Sequence, residues 1–284
     1  MLRASAVIFV VFAAAALAVA GRSEENGPAK NSAANRIEQT TFTAGVPQGW
    51  RLSASRTPSR ADAEWRIVVV TGTPSVSRYW RRTLASASET RELIVVDRPG
   101  FGRSEPRHAV PDLVTQADAL APTIAARPGQ HVLLVGQSYG APVAAIMAHR
   151  YADRVDAVVL VSAFFGEQGP AARRLLGIGR SVRPLLSRDL NNSITEISAQ
   201  NSQLPAAFAA LDRLRQPVVF VHGRDDTYVP IAAAQRLSRN FDRPLVEVPA
   251  GDHFLQYCCV ADLLAAFEQA IAEADRRKSA PGAP

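Results

Sequence analysis

The sequence predicts an α/β fold: a mostly parallel, doubly wound sheet with helices on both faces and a small helical cap. Two observations support this prediction. Short apolar runs typical of buried strands alternate along the chain with segments of helical periodicity, which favours parallel strands joined by crossover helices. Residues 164–215 separate two neighbouring strands, which leaves room for an inserted helical segment.

The composition is that of a globular domain. The chain has 284 residues, of which 47% are hydrophobic and 20% charged, enough to bury a substantial core. The formal net charge is +6 and the isoelectric point is near 9.9. Of the 32 basic residues, 30 are arginines scattered along the chain, without a Lys/Arg block or an aromatic-interleaved stripe, so the composition favours no nucleic-acid partner.

The first twenty residues have the pattern of a secretory signal. Arg3 precedes an apolar stretch over residues 4–20, and Ala18-Val19-Ala20 forms an A-x-A site. We expect cleavage after Ala20, so that the protein is secreted or periplasmic. The alternative is an uncleaved membrane tether, because the apolar stretch reaches the lower length limit of a transmembrane helix, about 17 residues. Both alternatives place the domain outside the cytoplasm.

The folded domain is expected over residues 39–275, between a polar flexible leader at 21–38 and a flexible tail at 276–284. It begins with a hairpin whose two strands, 39–44 and 50–56, flank a Gly/Pro turn. This hairpin should cover an edge of the sheet.

Strands and helices then alternate. Later strands are predicted at 66–70, 93–96, 132–135, 155–162, 217–222 and 244–248. Helices are predicted at 77–87, 113–126, from 141 onward, 231–239 and 260–274. The insertion should form a cap over the carboxyl ends of the strands, where sites form in such sheets. Its apolar residues Leu175, Leu185 and Phe208 are expected to border a pocket.

A sharp turn joins the strand at 132–135 to the helix that begins at Ala141, with the sequence Gly136-Gln137-Ser138-Tyr139-Gly140. A nucleophilic serine on such a turn needs glycine two positions before and two after it, because strand and helix approach closely. Both positions are glycine. The helix dipole and the Tyr139 N–H would face a developing oxyanion. The alternative is an ordinary glycine-rich turn.

Candidate partners of Ser138 follow two later strands. One strand ends at His222 and runs into a loop with two adjacent acids, Asp225 and Asp226. The last strand runs into a loop that contains His253. Serine, acid and histidine therefore occur in this chain order, each in a loop after a strand. His222 itself, at the end of a buried strand, is expected to be structural.

This arrangement resembles the α/β-hydrolase superfamily over about residues 40–275, where such loops supply nucleophile, acid and base in this order. Residues 97–104, with the sequence DRPGFGRS, are similar to the family's D-x-P-G-[FYH]-G-x-S loop. The family pattern G-x-x-D-x-x-V-P aligns with Gly223 and Pro230, and this alignment selects Asp226 as the acid.

The resemblance also implies an oxyanion hole. Residues 71–74, with the sequence TGTP, stand where the family has H-G-x-P, a loop whose backbone completes that hole. Thr71 replaces the usual histidine, whereas Gly72, which allows close backbone approach, is kept. The amides of Thr73 and Tyr139 are therefore expected to form the hole, and Gly136 and Gly140 to flank the serine in the nucleophile elbow.

The expected function is that of a carboxylesterase-like or lipase-like serine hydrolase acting on a small-molecule ester through an acyl-enzyme, with Ser138, Asp226 and His253 as the triad and with neither metal nor cofactor. A serine nucleophile disfavours haloalkane dehalogenase and epoxide hydrolase chemistry, which the family performs through an aspartyl ester. Amide, lactone, perhydrolase and acyltransferase reactions use the same triad. The alternative class is a non-catalytic binding protein of this fold.

The cysteines Cys258 and Cys259 are adjacent. Because neighbouring residues close a disulfide only with strain, packed free thiols are expected.

Overall fold

Eight strands form one sheet in the computed structural model, which describes residues 37–279. The strands are β1 (Glu38–Thr43), β2 (Arg51–Arg56), β3 (Trp65–Val70), β4 (Arg91–Val96), β5 (His131–Gln137), β6 (Ala157–Val161), β7 (Val218–Gly223) and β8 (Leu245–Val248). Their order across the sheet is β1-β2-β4-β3-β5-β6-β7-β8. Only the β1–β2 and β2–β4 pairs within this described sheet are antiparallel. The predicted sheet and its edge hairpin are confirmed.

The helices lie between these strands. They are α1 (Arg81–Ser86), α2 (Leu113–Leu120), α3 (Gly140–Arg150), α4 (Pro170–Ser181), α5 (Arg188–Gln200), α6 (Leu204–Asp212), α7 (Ile231–Phe241), α8 (Leu255–Cys258) and α9 (Val260–Ser279). Short 3₁₀ turns precede α1, follow α2 and flank α5. The residues predicted as the start of a flexible tail, 276–279, instead continue α9, which is anchored by a buried apolar stripe that includes Phe267 and Ile271.

Each face of the sheet is covered by its own hydrophobic cluster. Side chains alternate along β3, so that Val68 and Val70 belong to the cluster under α2, α3, α6 and α7, whereas Ile67 and Val69 belong to the cluster under α1 and α9. Apolar residues on both faces are the reason that these strands read as continuous hydrophobic runs. The doubly wound arrangement is confirmed.

The parallel register brings the carboxyl ends of the central strands to one edge. Val70 pairs with Gly136, Gln137 with Val161, and Val161 with Val221. The loops that follow β3, β5, β6, β7 and β8 therefore emerge side by side, and this edge is where side chains from distant parts of the sequence can meet.

The insertion between β6 and β7 contains α4, α5 and α6. Helix α6 packs into the core against α3 through Ala207, Ala210 and Leu211. Of these three helices, only α4 and α5 carry residues that line the cavity described below, and we call these two helices the cap helices.

The predicted signal or anchor, residues 1–20, and most of the predicted leader lie outside the described residues. Within residues 37–279, no helix has the length and apolarity needed to cross a bilayer.

Candidate active site

Ser138 occupies the turn between β5 and α3 with a φ of 52°, a left-handed conformation that costs free energy for a residue with a side chain. Three backbone hydrogen bonds hold it there. Its N–H donates to the Val161 carbonyl (2.9 Å), and its carbonyl accepts from the N–H groups of Ala141 (3.0 Å) and Phe164 (3.1 Å). A strained residue held this firmly is typical of a functional site.

The two flanking glycines are required by close approach, as predicted. A Cβ on Gly136 would lie 2.7 Å from the Cα of Ala141 and from the Cβ of Ala144. A Cβ on Gly140 would lie 2.2 Å from the Val70 carbonyl oxygen. Any side chain at either position would push β5 or β3 away from α3.

The structure brings Ser138, Asp226 and His253 together at the ends of β5, β7 and β8. The His253 Nε2 lies 3.0 Å from the Ser138 Oγ, and the His253 Nδ1 lies 2.7 Å from the Asp226 Oδ2. All three residues are buried. A carboxylate on Nδ1 places the proton there, which leaves the Nε2 lone pair free to accept the serine hydroxyl proton.

Asp226, rather than the exposed Asp225, contacts the histidine. The Asp226 Oδ1 accepts the N–H groups of Tyr228 (2.8 Å) and Val229 (2.9 Å). Burial raises the pKa of Asp226, but hydrogen bonds from His222 and His253 outweigh it and hold that pKa well below its ordinary value. The carboxylate therefore stays charged beside His253 across the neutral range.

His222 supports the acid. Its Nε2 lies 2.9 Å from the Val229 carbonyl oxygen and 3.1 Å from the Asp226 Oδ2. The structural role expected of His222 is therefore to hold both the loop after β7 and the Asp226 carboxylate.

The loop after β3 packs directly against the nucleophile. A Cβ on Gly72 would lie 2.9 Å from the Ser138 Cβ, and the Gly72 N–H donates to the Gln137 Oε1 at 2.9 Å. The Thr71 hydroxyl, at the position where the family usually has histidine, donates to the Val96 carbonyl at 3.1 Å. Thr71 thereby ties this loop to the end of β4.

The two amides predicted for the oxyanion hole flank this contact. Thr73 borders the cavity, and its hydroxyl donates to the Ser193 Oγ on α5 at 3.0 Å. Neither the Thr73 nor the Tyr139 backbone N–H donates to another atom of residues 37–279. Two uncommitted donors next to Ser138 are what stabilisation of an oxyanion requires.

A cavity of about 430 Å³ opens above Ser138 and His253. Its walls are mainly apolar side chains of the cap helices and neighbouring loops: Phe164, Leu175, Leu176, Leu186, Leu190, Ile194, Ile197, Val229 and Phe254. Tyr228 and Phe254 also pack against the His253 ring, with centroids 5.3 and 5.1 Å away.

Of the three cap residues expected to border a pocket, Leu175 does so. Leu185 does not, because the 3₁₀ turn after α4 leaves it 73% exposed. Phe208 does not either, because α6 packs into the core, where its ring lies between those of Phe165 and Phe241. For Leu185 and Phe208 the prediction was wrong.

The D-x-P-G-F-G-x-S loop is built around the carboxylate of Asp97. That carboxylate accepts the N–H groups of Ser77 (2.6 Å) and Arg103 (3.2 Å), and burial raises its pKa. Gly102 has a φ of 54°, and a Cβ there would lie 2.2 Å from the Asp97 Oδ2. Asp97 therefore shapes the loop and does not face the cavity.

Sequence reasoning missed three residues around the site: Gln137, Arg98 and Glu196. Arg98 donates to the carbonyls of Thr71 and Gly72 and forms an ion pair with Glu196. Gln137, which accepts the Gly72 N–H, occupies the variable position before Ser138 in the glycine-flanked turn. Arg98 occupies the variable position after Asp97 in the D-x-P-G-F-G-x-S loop. Both residues therefore lie within motifs, at positions where the motif specifies no residue type. Glu196, on a cap helix without a recognised motif, offered no signal.

The cysteines are free, but Cys258 is exposed, so the expectation of two packed thiols was wrong for that residue.

Comparison with known proteins supports the fold described above. The family model for the α/β hydrolase fold matches residues 66–183, a range that includes Ser138. The bifunctional biotin biosynthesis protein BioHC of Cellvibrio japonicus is 28% identical over 221 residues, which are 65% of this chain and 43% of that protein. The match thus spans less than half of that relative.

Two further proteins are similar to this chain over more of their own length. The 2-hydroxy-6-oxo-2,4-heptadienoate hydrolase of Pseudomonas putida is 26% identical over 210 residues, which are 61% of this chain and 76% of that protein. A thermophilic esterase from Thermogutta terrifontis superposes with a TM-score of 0.63 at 19% identity, covering 84% of this chain and 98% of the esterase.

Proposed function

We propose that this chain, whose fold is that of the α/β hydrolases, is a serine hydrolase that cleaves a carboxylic ester of a small molecule. The observation that carries the proposal is the buried hydrogen-bonded series from the Ser138 Oγ through His253 (3.0 Å) to Asp226 (2.7 Å). A serine nucleophile, rather than an aspartate, supports acyl transfer. The similar proteins named as a hydrolase and an esterase support the broader class, hydrolase.

In the first half of the reaction, the Ser138 Oγ attacks the ester carbonyl carbon while the His253 Nε2 accepts the hydroxyl proton. The carbonyl oxygen takes up the electron pair and accepts hydrogen bonds from the Thr73 and Tyr139 amides. Asp226 stabilises the imidazolium and stays charged. When the intermediate collapses, the bond to the alcohol oxygen breaks, and His253 returns the proton to that oxygen.

In the second half, water replaces the alcohol. The His253 Nε2 accepts a proton from the water as its oxygen attacks the acyl carbon, and the same amides hold the second oxyanion. Collapse breaks the bond to the Ser138 Oγ, which recovers its proton from His253, and the carboxylic acid leaves. Each step uses only side chains and amides of the described site.

The cavity supports an acyl group of small or medium size. Its volume of about 430 Å³ lies within the range of ordinary small-molecule sites, and its apolar walls favour hydrocarbon over charged groups. We expect the acyl chain to extend from Ser138 between the cap helices, along Leu175 and Ile194.

The domain is proposed to act outside the cytoplasm. Arg3, the apolar residues 4–20 and the A-x-A site support export, with either release after Ala20 or retention as a membrane tether.

A fluorophosphonate label and a series of p-nitrophenyl esters of increasing acyl length test the proposal. The label should modify Ser138, and Ser138→Ala should lower kcat by up to about a million-fold, the loss known for nucleophile removal in a triad enzyme. Ser202→Ala, at an exposed serine, is the matched control and should keep both labelling and turnover. Undiminished turnover in Ser138→Ala would refute the proposal.

A further inference from the structure

We propose that Arg98 is a positioning residue for the oxyanion hole and that Glu196 of the cap holds Arg98 in place. This inference rests on the proposed function. Arg98 would fix the orientation of the peptide unit that carries the Thr73 N–H. Because Glu196 lies on the cap helix α5, that orientation would depend on α5 being packed in place.

Arg98 is fully buried and all of its donors are used. A guanidinium has five N–H groups, and five acceptors surround this one. The Nε donates to the Thr71 carbonyl (2.6 Å), and the Nη2 donates to the Gly72 carbonyl (2.9 Å) and to the Glu196 Oε2 (3.0 Å). The Nη1 donates to the Gln116 Oε1 (2.6 Å) and to the Glu196 Oε1 (2.7 Å).

These contacts set the orientation of the peptide unit between Gly72 and Thr73. The Gly72 carbonyl and the Thr73 N–H belong to one planar unit, and in a trans peptide they point in opposite directions. With the carbonyl held by Arg98, the Thr73 N–H is directed to the other side of the loop. The preceding unit is held as well, since its carbonyl accepts from Arg98 and its N–H donates to Gln137.

Arg98 also contacts the residue that supplies the second amide. Its guanidinium lies over the ring of Tyr139, 4.9 Å from the centroid, and over the ring of Phe101 at 4.7 Å. Tyr139 directly follows the nucleophile and is itself fully buried. One side chain thus packs against both amide-bearing segments of the proposed hole.

Glu196 compensates the positive charge of the buried Arg98 guanidinium. An unpaired guanidinium away from water is strongly disfavoured, whereas a bidentate carboxylate compensates its charge. Glu196 lies on α5 and is fully buried, and Gln116 of α2 donates to its Oε1 at 2.9 Å. Since α5 also lines the cavity, the helix that encloses the substrate is the helix that anchors Arg98.

A second ion pair in the same molecule, between a half-buried arginine and a fully buried carboxylate, provides a control. The Arg66 Nε donates to the Glu92 Oε2 at 2.9 Å, and the Glu92 side chain is fully buried. Arg66 lies at the opposite end of β3 from the Thr71–Thr73 loop. Lysine at either position keeps the charge but replaces the planar fork with a single ammonium.

The experiment compares Arg98→Lys with Arg66→Lys, using the best p-nitrophenyl ester and a trifluoromethyl ketone of the same acyl length. The ketone adduct with Ser138 carries an oxyanion. Arg98→Lys should lower kcat by about tenfold to a hundredfold, approaching the loss of one oxyanion-hole donor, and should weaken the ketone's inhibition constant by the same factor. KM and the pH profile should remain those of the wild type. Arg66→Lys should leave kcat and the inhibition constant unchanged.

Glu196→Gln keeps the test decisive if Arg98→Lys does not fold. It should reduce kcat/KM by about threefold to tenfold, with ketone binding weakened in the same proportion, because the guanidinium keeps its two carbonyl contacts but loses its counter-charge. An unchanged kcat in Arg98→Lys, an unchanged kcat/KM in Glu196→Gln, or a loss of turnover without weaker ketone binding would overturn the positioning role. Turnover that does not depend on Ser138 would instead refute the proposed function.

Discussion

At the scale of single residues, the site depends on which of two adjacent carboxylates meets the histidine. Asp226 is buried with four hydrogen-bonding groups around it, the amides of Tyr228 and Val229 and the rings of His222 and His253. Asp225 is exposed. The turn that lets the two amides bind one oxygen also turns the other oxygen toward His253.

We expect Asp226→Asn to lower kcat by about four orders of magnitude, the loss seen when a triad aspartate becomes an amide and the histidine takes the wrong tautomer. Asp225→Asn should change kcat by less than about twofold, because that side chain is exposed and does not contact His253. Steady-state kinetics of both variants measures this difference. A larger loss in Asp225→Asn would mean that the loop after β7 is shifted by one residue.

At the scale of elements, the turn from β5 into α3 is constrained by backbone proximity more than by side-chain chemistry. Gly140 lies at the start of α3, and there a Cβ would meet the end of β3. Gly177, in the middle of α4, has nothing within 4 Å of its Cβ direction. A side chain is therefore excluded by the packing at Gly140, whereas there is space for one at Gly177.

Gly140→Ala should lower the free energy of unfolding by about 1–3 kcal/mol or more, because the new methyl group overlaps the Val70 carbonyl and neither strand nor helix can move freely. Gly177→Ala should be neutral or raise it by up to about 1 kcal/mol, since alanine favours a helix interior over glycine. Urea denaturation of both variants checks this. Equal effects would contradict the close packing of α3 on β3.

The cap helices provide the second prediction at this scale. Leu175 lines the cavity and Leu185 is exposed. Leu175→Ala should enlarge the cavity and raise the ratio of kcat/KM for long over short acyl esters by about tenfold or more, a range typical of added or removed methylenes in an apolar pocket. Leu185→Ala should change that ratio by less than about twofold. A reversed order would place the acyl group elsewhere.

At the scale of the whole molecule, the edge formed by the carboxyl ends of the parallel strands unites residues from four distant loops. Ser138, Asp226 and His253 follow β5, β7 and β8, and the Thr71–Thr73 loop follows β3. Because neighbouring parallel strands run in register, these loops meet without any side chain crossing the sheet.

The proposed export makes a prediction about the mature chain. If the A-x-A site is used, the exported protein should begin at Gly21 and be recovered without membrane. N-terminal sequencing and fractionation of the expressing cells measure both properties. Recovery in the membrane fraction with residues 4–20 intact would support the tether instead.

The sequence by itself determined the alternation of strands and helices and the glycine-flanked turn at Ser138, and its resemblance to a family pattern selected Asp226 and His253 as the predicted partners of that serine. These are local properties. Strand periodicity, the space that Gly136 and Gly140 must leave, and the spacing from Gly223 to Pro230 are all contained within short segments, so each could be inferred before any long-range contact was known.

Only the tertiary structure decided which side chains enclose the site and what holds the Thr71–Thr73 loop. Leu175, Leu185 and Phe208 are equally apolar in sequence, but α4, the turn after it and α6 point them to the cavity, to solvent and to the core, respectively. Arg98 and Glu196 meet only because the cap folds back over the loop after β4. Such contacts depend on how whole elements pack, and no short segment contains that information.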